Sequence, residues 1–420
     1  MRTAISRFLL ATVLIYMPTI EGAEKMPIIT DTDDSTSLSE SLTSGKLIFN
    51  LRPRYENVEQ TGKETGDALT MRTLLGWKTG TWKGWSGMAE IINVGRANND
   101  YFDALNGKTQ YPVIPDPDDT DFNQLYVDYS GFKDSRIRGG RQSITLDNVR
   151  FVGNVAFRQV MQVFNAATFV NESLPNTRLY AGYLGRVKTI TTKQFDTDTI
   201  LLNAHYSFTP DDTIVGFGYL QDQANAIAKI AFRGPTVTDT SNQIIGVRAN
   251  GAHPMSERWR LLYTLEYSSQ KDYAGGDSRI DADYMRIGGG AKWKNYDLRI
   301  DYEVLGSNNG LYAFQTPLAT KHLFQGWTDT FAVATPSQGI RDTYITGNIT
   351  FEKFKAHAEY HEFDSDFGSV DFGKEFDIGV SYPLVKRLLG KIEYADYQAG
   401  DAISGKVDVR KYWLTLVFNY

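Results

Sequence analysis

Residues 411–420 read KYWLTLVFNY. Tyr412, Leu414, Leu416, Phe418 and Tyr420 take every second position, and alternate side chains along a strand point to opposite faces. The segment predicts a closing β-strand with one wholly apolar face and an aromatic last residue. The same period recurs upstream. Leu47, Phe49, Leu51 and Tyr55 interleave with Lys46, Asn50, Arg52 and Arg54. Trp259, Leu261, Tyr263, Leu265 and Tyr267 interleave with Arg260, Thr264, Glu266 and Ser268. Tyr296, Leu298, Ile300, Tyr302 and Val304 interleave with Asp297, Arg299, Asp301 and Glu303. Each strand thus has an oily face and an ionic face. A soluble sandwich shares that pattern, so alternation alone establishes strands and no membrane.

The connections separate the two. From Lys46 onward, short linkers (78–85, 131–135, 209–212, 293–295, 352–353) trade places with longer ones (95–121, 223–241, 307–341). The long ones all fall on one side of the strand order. Transmembrane barrels keep that asymmetry, with tight periplasmic turns and long external loops, and a sandwich has no reason to. The expectation is an all-β chain: a transmembrane antiparallel β-barrel of about eighteen strands over residues 46–420, in a bacterial outer membrane. Closure removes the sheet edges whose N–H and C=O groups lipid could not satisfy. A terminal aromatic strand also suits the barrel-assembly machinery as a partner during biogenesis.

Composition agrees. The 420 residues include 24 Tyr, 23 Phe and 37 Gly, yet mean hydropathy is only −0.35, because lipid-facing and lumen-facing residues cancel in any window. Residues 1–23, MRTAISRFLLATVLIYMPTIEGA, read as a signal peptide with basic Arg2 and Arg7 before an apolar run. Residues 24–45, rich in Ser, Thr and Asp, read as a flexible lead-in. Cysteine is absent, which suits passage through an oxidising periplasm. The formal charge is −6, and loss of the leader keeps the chain acidic, so nucleic acid is excluded as a partner.

Three segments resemble the alginate-export family of outer-membrane porins. They are 111–129 (YPVIPDPDDTDFNQLYVDY), 140–166 (GRQSITLDNVRFVGNVAFRQVMQVFNA) and 314–331 (FQTPLATKHLFQGWTDTF). Phe157 stands where that family usually has Trp, and Asn165 where Asp is common. The resemblance implies an eighteen-stranded barrel whose passage is electropositive, lined by Arg and constricted by infolded loops. It does not fix alginate as the solute.

Strand parity sends Arg52, Arg54, Arg72, Arg138, Arg186, Lys188, Arg248, Arg260, Arg286, Lys292 and Arg299 into the lumen. Arg and Lys rings select anions in pores, and guanidinium forks grip carboxylates in two places. Arg141, Arg150 and Arg158 lie in the GRQ segment, where alternation breaks down and an infolded constriction is expected. An opposing set of Asp128, Glu266, Asp297, Asp301, Glu303, Glu359, Glu375 and Asp377 could instead pair with these cations and merely stiffen the wall. Trp77, Trp82, Trp85, Trp293, Tyr394, Tyr412 and Tyr420 fall near strand ends, as interfacial girdles do, whereas inward Tyr126, Tyr180 and Trp413 could stack on sugar. The function expected is a passive channel for anionic saccharides or small organic acids, bathed by outer-membrane lipid. A plugged barrel acting through its loops is the second reading, and a barrel enzyme the third.

Nothing in the sequence asks for a cofactor. His357 and His361 share a strand face but lie roughly 13 Å apart, so no metal site is expected from them. Residues 107–109 (GKT) resemble the end of a phosphate loop, but Phe102 occupies the place of its first Gly. No nucleophile elbow is present.

Overall fold

The computed structural model describes residues 34–223 and 239–420. The segment expected to be a signal peptide, the lead-in up to residue 33 and most of the 223–241 linker lie outside the described residues. Chain order runs β1 (Lys46–Gln60), β2 (Gly66–Lys78), β3 (Trp85–Arg96), β4 (Asp119–Tyr129), β5 (Ser135–Gln142), β6 (Val163–Asn171) and β7 (Thr177–Lys188). It continues through β8 (Gln194–Ser207), β9 (Asp212–Asp222), β10 (Asn242–Pro254), β11 (Trp259–Asp272), β12 (Asp281–Trp293) and β13 (Tyr296–Leu305). A two-stranded ribbon, β14 (Ser307–Asn308) and β15 (Tyr312–Ala313), precedes β16 (Ile340–Phe351), β17 (Phe354–Asp364), β18 (Asp371–Val385), β19 (Leu388–Ala399) and β20 (Val409–Asn419).

Apart from the ribbon, eighteen strands among the described residues form one sheet. Each pairs antiparallel with its chain neighbours, and β1 pairs with β20, Asn50 opposite Asn419 and Gln60 opposite Val409. That last ladder closes the barrel and leaves no edge. Connections 294–295, 352–353 and 386–387 are the tightest, and they share one end of the barrel with the described residues before β1. The stretches 97–118, 143–162 and 306–339 all leave from the other end.

Burial is inverted relative to a soluble protein. Leu298 is 62% exposed on the outer face, while Glu375, three strands further round, is fully buried inside. Leu47, Leu75, Leu261, Leu265, Ile300 and Leu414 are likewise exposed outward. Only hydrocarbon makes such a surface favourable, at about 25 cal/mol per Å² of apolar area kept from water. Near the tight-turn end an aromatic belt forms from Trp85 on Tyr129 (ring centroids 4.6 Å apart) and Trp293 on Tyr296 (5.8 Å). No helix among the described residues could cross a membrane.

The later part of the lead-in is structured. Leu38–Thr43 form helix α1, whose N-cap Ser37 accepts from the Glu40 N–H while Thr36 donates to the Glu40 carboxylate, a reciprocal cap. Ser41 exchanges hydrogen bonds with Gly80, and the Trp77 indole N–H reaches the Leu42 carbonyl at 2.9 Å. These contacts tie α1 to the turn between β2 and β3.

Candidate functional site: the filled lumen

β5 stops early, at Gln142, and the chain turns inward. Gly140 permits the departure: at φ 129° its hydrogen lies where a Cβ would meet the Leu125 carbonyl oxygen at 2.3 Å. The 143–162 segment then carries Val149 (φ 58°) and Val155 (φ 50°), β-branched residues in the left-handed region. Such strain persists only where surrounding contacts enforce it, and it concentrates at functional sites. The enforcing contacts come from the 306–339 segment, which enters from the far wall. Val152 bridges Leu318, the Gly153 N–H donates to the Leu318 carbonyl, and Thr320 donates to the Val149 carbonyl.

The two infolded segments meet at Arg158. Its guanidinium reaches the Asp329 carboxylate at 2.7 Å and Glu56 on β1 at 3.0 Å, with Asp116 of the 97–118 loop at 3.9 Å. All four side chains are largely or wholly buried, so the charges strengthen one another's geometry in a low-dielectric setting. Arg150 forms a buried ion pair with Glu303 on β13, its Nε 2.8 Å from the carboxylate but not aligned to hydrogen-bond it, while Gln325 and Tyr284 do donate to that carboxylate. Phe151, Phe217, Tyr284 and Phe314 pack as an aromatic plug beneath the long-loop rim. Phe331 makes a second plug with Phe363 and Tyr397.

β1 and β2 bear a different surface. Arg52 and Arg72 are direct cross-strand partners, with Arg54 one inward position along. Arg52 donates to the Gln159 amide oxygen at 2.9 Å and to the Ala156 and Arg158 carbonyls. Arg54 donates to Thr415 and to the Phe157 carbonyl at 2.7 Å, and lies 4.2 Å over the Phe157 ring. Arg72 holds only Asn50, at 2.9 Å, and its Nε and one terminal nitrogen have no partner. None of the three forms an ion pair among the described residues.

Most other basic side chains are paired. Arg138 forks Asp128 at 2.6 and 2.8 Å and lies 3.6 Å over Tyr126. Lys188 bridges Asp119 and Asp121, Arg248 approaches Asp147 at 3.4 Å, and Arg286 and Arg299 share Asp301. Arg141 pairs with Asp121 at the end of β5, away from the Arg158 junction. Arg260 lies at the tight-turn mouth, bonded to Ala252 and Asp211. Arg186 is a correction. A bulge between Leu184 and Arg186 shifts the register by one residue, and the side chain emerges 46% exposed beside Asp196. Sequence pattern does not mark Asp116, Gln159, His322 or Asp329 as site residues, although they fall within the resembling segments 111–129, 140–166 and 314–331.

His322 stacks on Phe157 with ring centroids 3.5 Å apart and bonds Asp329 at 3.0 Å. Burial holds its pKa below the ordinary imidazole value despite that carboxylate. Burial also opposes the Asp329 charge, yet His322, Lys411 and Arg158 hold its carboxyl well below the usual range. Both shifts have one sign. A depressed pKa in the docked loop means that protonation favours the released loop, so docking is complete above about pH 6.5 and weakens as pH falls below it. Hydrogen-exchange protection across 320–331, taken relative to the intrinsic amide rate at each pH, should therefore fall between about pH 7.5 and 5. An equal acid response in His322→Gln would show that this imidazole is not responsible.

The closed barrel, its oily exterior and its loop-constricted polar interior define an outer-membrane porin-type channel. A family model described as alginate export matches residues 51–304, and the chain belongs to that family. The match takes in the first two resembling segments and ends before the third. Pseudomonas aeruginosa OccK9 (OpdG) shares the fold at TM-score 0.69 and 15% identity, covering 90% of this chain and 99% of that one. P. aeruginosa OpdK with vanillate gives 0.68 and 14%, over 90% and 99%. Acinetobacter baumannii OccAB2 gives 0.70 and 13%, over 91% and 99%. No curated protein matches the chain in sequence. The tight turns are thus periplasmic and the long loops extracellular.

Proposed function

We propose that this barrel passes anionic solutes, polyuronate saccharides or small organic acids, across the outer membrane. The observation that carries the reading is the trio Arg52, Arg54 and Arg72: adjacent inward guanidiniums with no ion-pair partner, and two unpartnered nitrogens on Arg72. Desolvated donors without partners are costly and fit a visiting carboxylate. Further round the barrel, β13 and β16 to β18 contribute the buried acids Asp301, Glu303, Asp342, Glu359, Glu375 and Asp377, so the unpaired cations of β1 and β2 mark the wall that draws an anion. OpdK holds vanillate, an aromatic carboxylate, in the same fold.

In planar bilayers under a KCl gradient, the zero-current potential should take the sign of anion preference. A uronate oligomer should block more strongly than a neutral glucan of equal length. Cation preference would overturn the arginine argument. The aromatic plugs favour a second reading, a barrel that works through its loops, which complete absence of unitary conductance would select.

A further inference from the structure

Beyond solute passage, we propose that Glu359, His361 and Asp377 form a site for one divalent first-row transition-metal ion in the lumen wall. Glu359 and Asp377 are direct partners across the β17–β18 ladder, and His361 lies two residues along on the same inward face. One donor atom from each falls within 4.8 Å of the others. The His361 Nε2 is 3.3 Å from Glu359 Oε2 and 4.0 Å from Asp377 Oδ2. Donors in a tetrahedral shell with bonds of about 2.1 Å lie roughly 3.4 Å apart, so only Asp377 has to approach.

Three features prepare the imidazole. Its Nδ1 lies 3.0 and 3.1 Å from the two oxygens of Asp342, which fixes the proton on that nitrogen and turns the Nε2 lone pair to the cluster. Carboxylate–histidine–metal units are built in this way. Tyr344 and Phe363 stack on either side of the ring, with centroids 4.8 and 5.4 Å away. All three donor residues are at least nine-tenths buried.

The observation that asks for an ion is Asp377 Oδ1, which is fully buried, receives no N–H or O–H donor and has a second carboxylate, Glu375, beside it. The neighbouring Glu375 carboxylate is already taken by the Thr328 N–H and hydroxyl, each at 2.6 Å. Around the cluster stand Asp342 from β16, Glu359 from β17, and Glu375 and Asp377 from β18, against the imidazoles of His357 and His361. The 306–339 segment offers neutral donors, the N–H groups of Trp327 and Thr328 and the Thr328 hydroxyl. Four buried carboxylates exceed what two imidazoles can neutralise, and unpaired buried charge is costly. A dication offsets it. One imidazole with two carboxylates suits Zn²⁺, Co²⁺ or Mn²⁺ better than the all-oxygen preference of Ca²⁺ or Mg²⁺.

The test uses untagged full-length protein in detergent, stripped with chelator and titrated with Co²⁺. Visible absorption and metal analysis after equilibrium dialysis are the readouts, and heat-modifiable gel migration verifies folding. A single saturable Co²⁺ per chain is expected. It should be lost in His361→Gln and Asp377→Asn, weakened roughly ten- to a hundredfold in Asp342→Asn, and kept in His253→Ala, whose imidazole lies at the periplasmic rim. Folded wild-type protein that takes up no stoichiometric Co²⁺ would overturn the proposal, and so would binding unchanged in His361→Gln.

Discussion

Arg158→Ala is expected to release the constriction while leaving the barrel closed. One guanidinium joins Glu56 of the wall to Asp329 and Asp116 of two separate loops, and its own segment supplies the third. Removing one partner of a buried ion pair costs about 3–5 kcal/mol, because the remaining charges stay desolvated. Here three carboxylates would be left, and the cheapest relief is for the 306–339 and 97–118 segments to move apart and admit water. The strand ladders make no use of Arg158, so heat-modifiable migration should persist. Unitary conductance should rise with added open-channel noise, and protease should cut within 306–339. Arg158→Lys should recover little, since an ammonium cannot fork toward Glu56 and Asp329 together. Conductance and protease resistance equal to wild type would mean that the loops are held by their apolar contacts alone.

The barrel was legible because lipid imposes a local rule. Every outward position must be apolar, so Leu298, Ile300 and Tyr412 mark their strands without reference to partners. Parity then assigns the inward set, and it holds until a bulge intervenes. Arg186 shows the limit: one extra residue near Gly185 reverses the face, and no residue type announces it. The infolded 143–162 segment was visible as a break in alternation, which places Arg150 and Arg158 inside but does not reveal Glu303 or Asp329 as their partners. Those pairings join residues far apart in the chain. The metal candidate was missed for the same reason. Reading His357 with His361 looks along one strand, whereas Asp377 and Asp342 come from the strands on either side.

Arg72→Glu should reverse the selectivity of the channel with little cost to its structure. Arg52 and Arg54 tether the 143–162 segment through its carbonyls, so changing either mixes electrostatics with loop release. Arg72 makes a single bond to Asn50 and contacts no loop carbonyl. The substitution changes the local charge by two units and sets the new carboxylate beside Arg52, its cross-strand partner. For an ion passing about 10 Å away in a water-filled lumen, each unit charge is worth roughly 0.4 kcal/mol. Two units then raise the anion barrier and lower the cation barrier by about 0.8 kcal/mol each. The permeability ratio should shift roughly tenfold toward cations, and Arg72→Gln should give about half that free-energy change. Both shifts should shrink as salt is raised from 0.1 M to 1 M, because screening shortens the reach of the charge from about 10 Å to about 3 Å. If Arg72→Glu leaves the zero-current potential where it was, permeating ions do not pass this wall, and the path must run along β3 to β7, where Arg136 and Arg138 face inward.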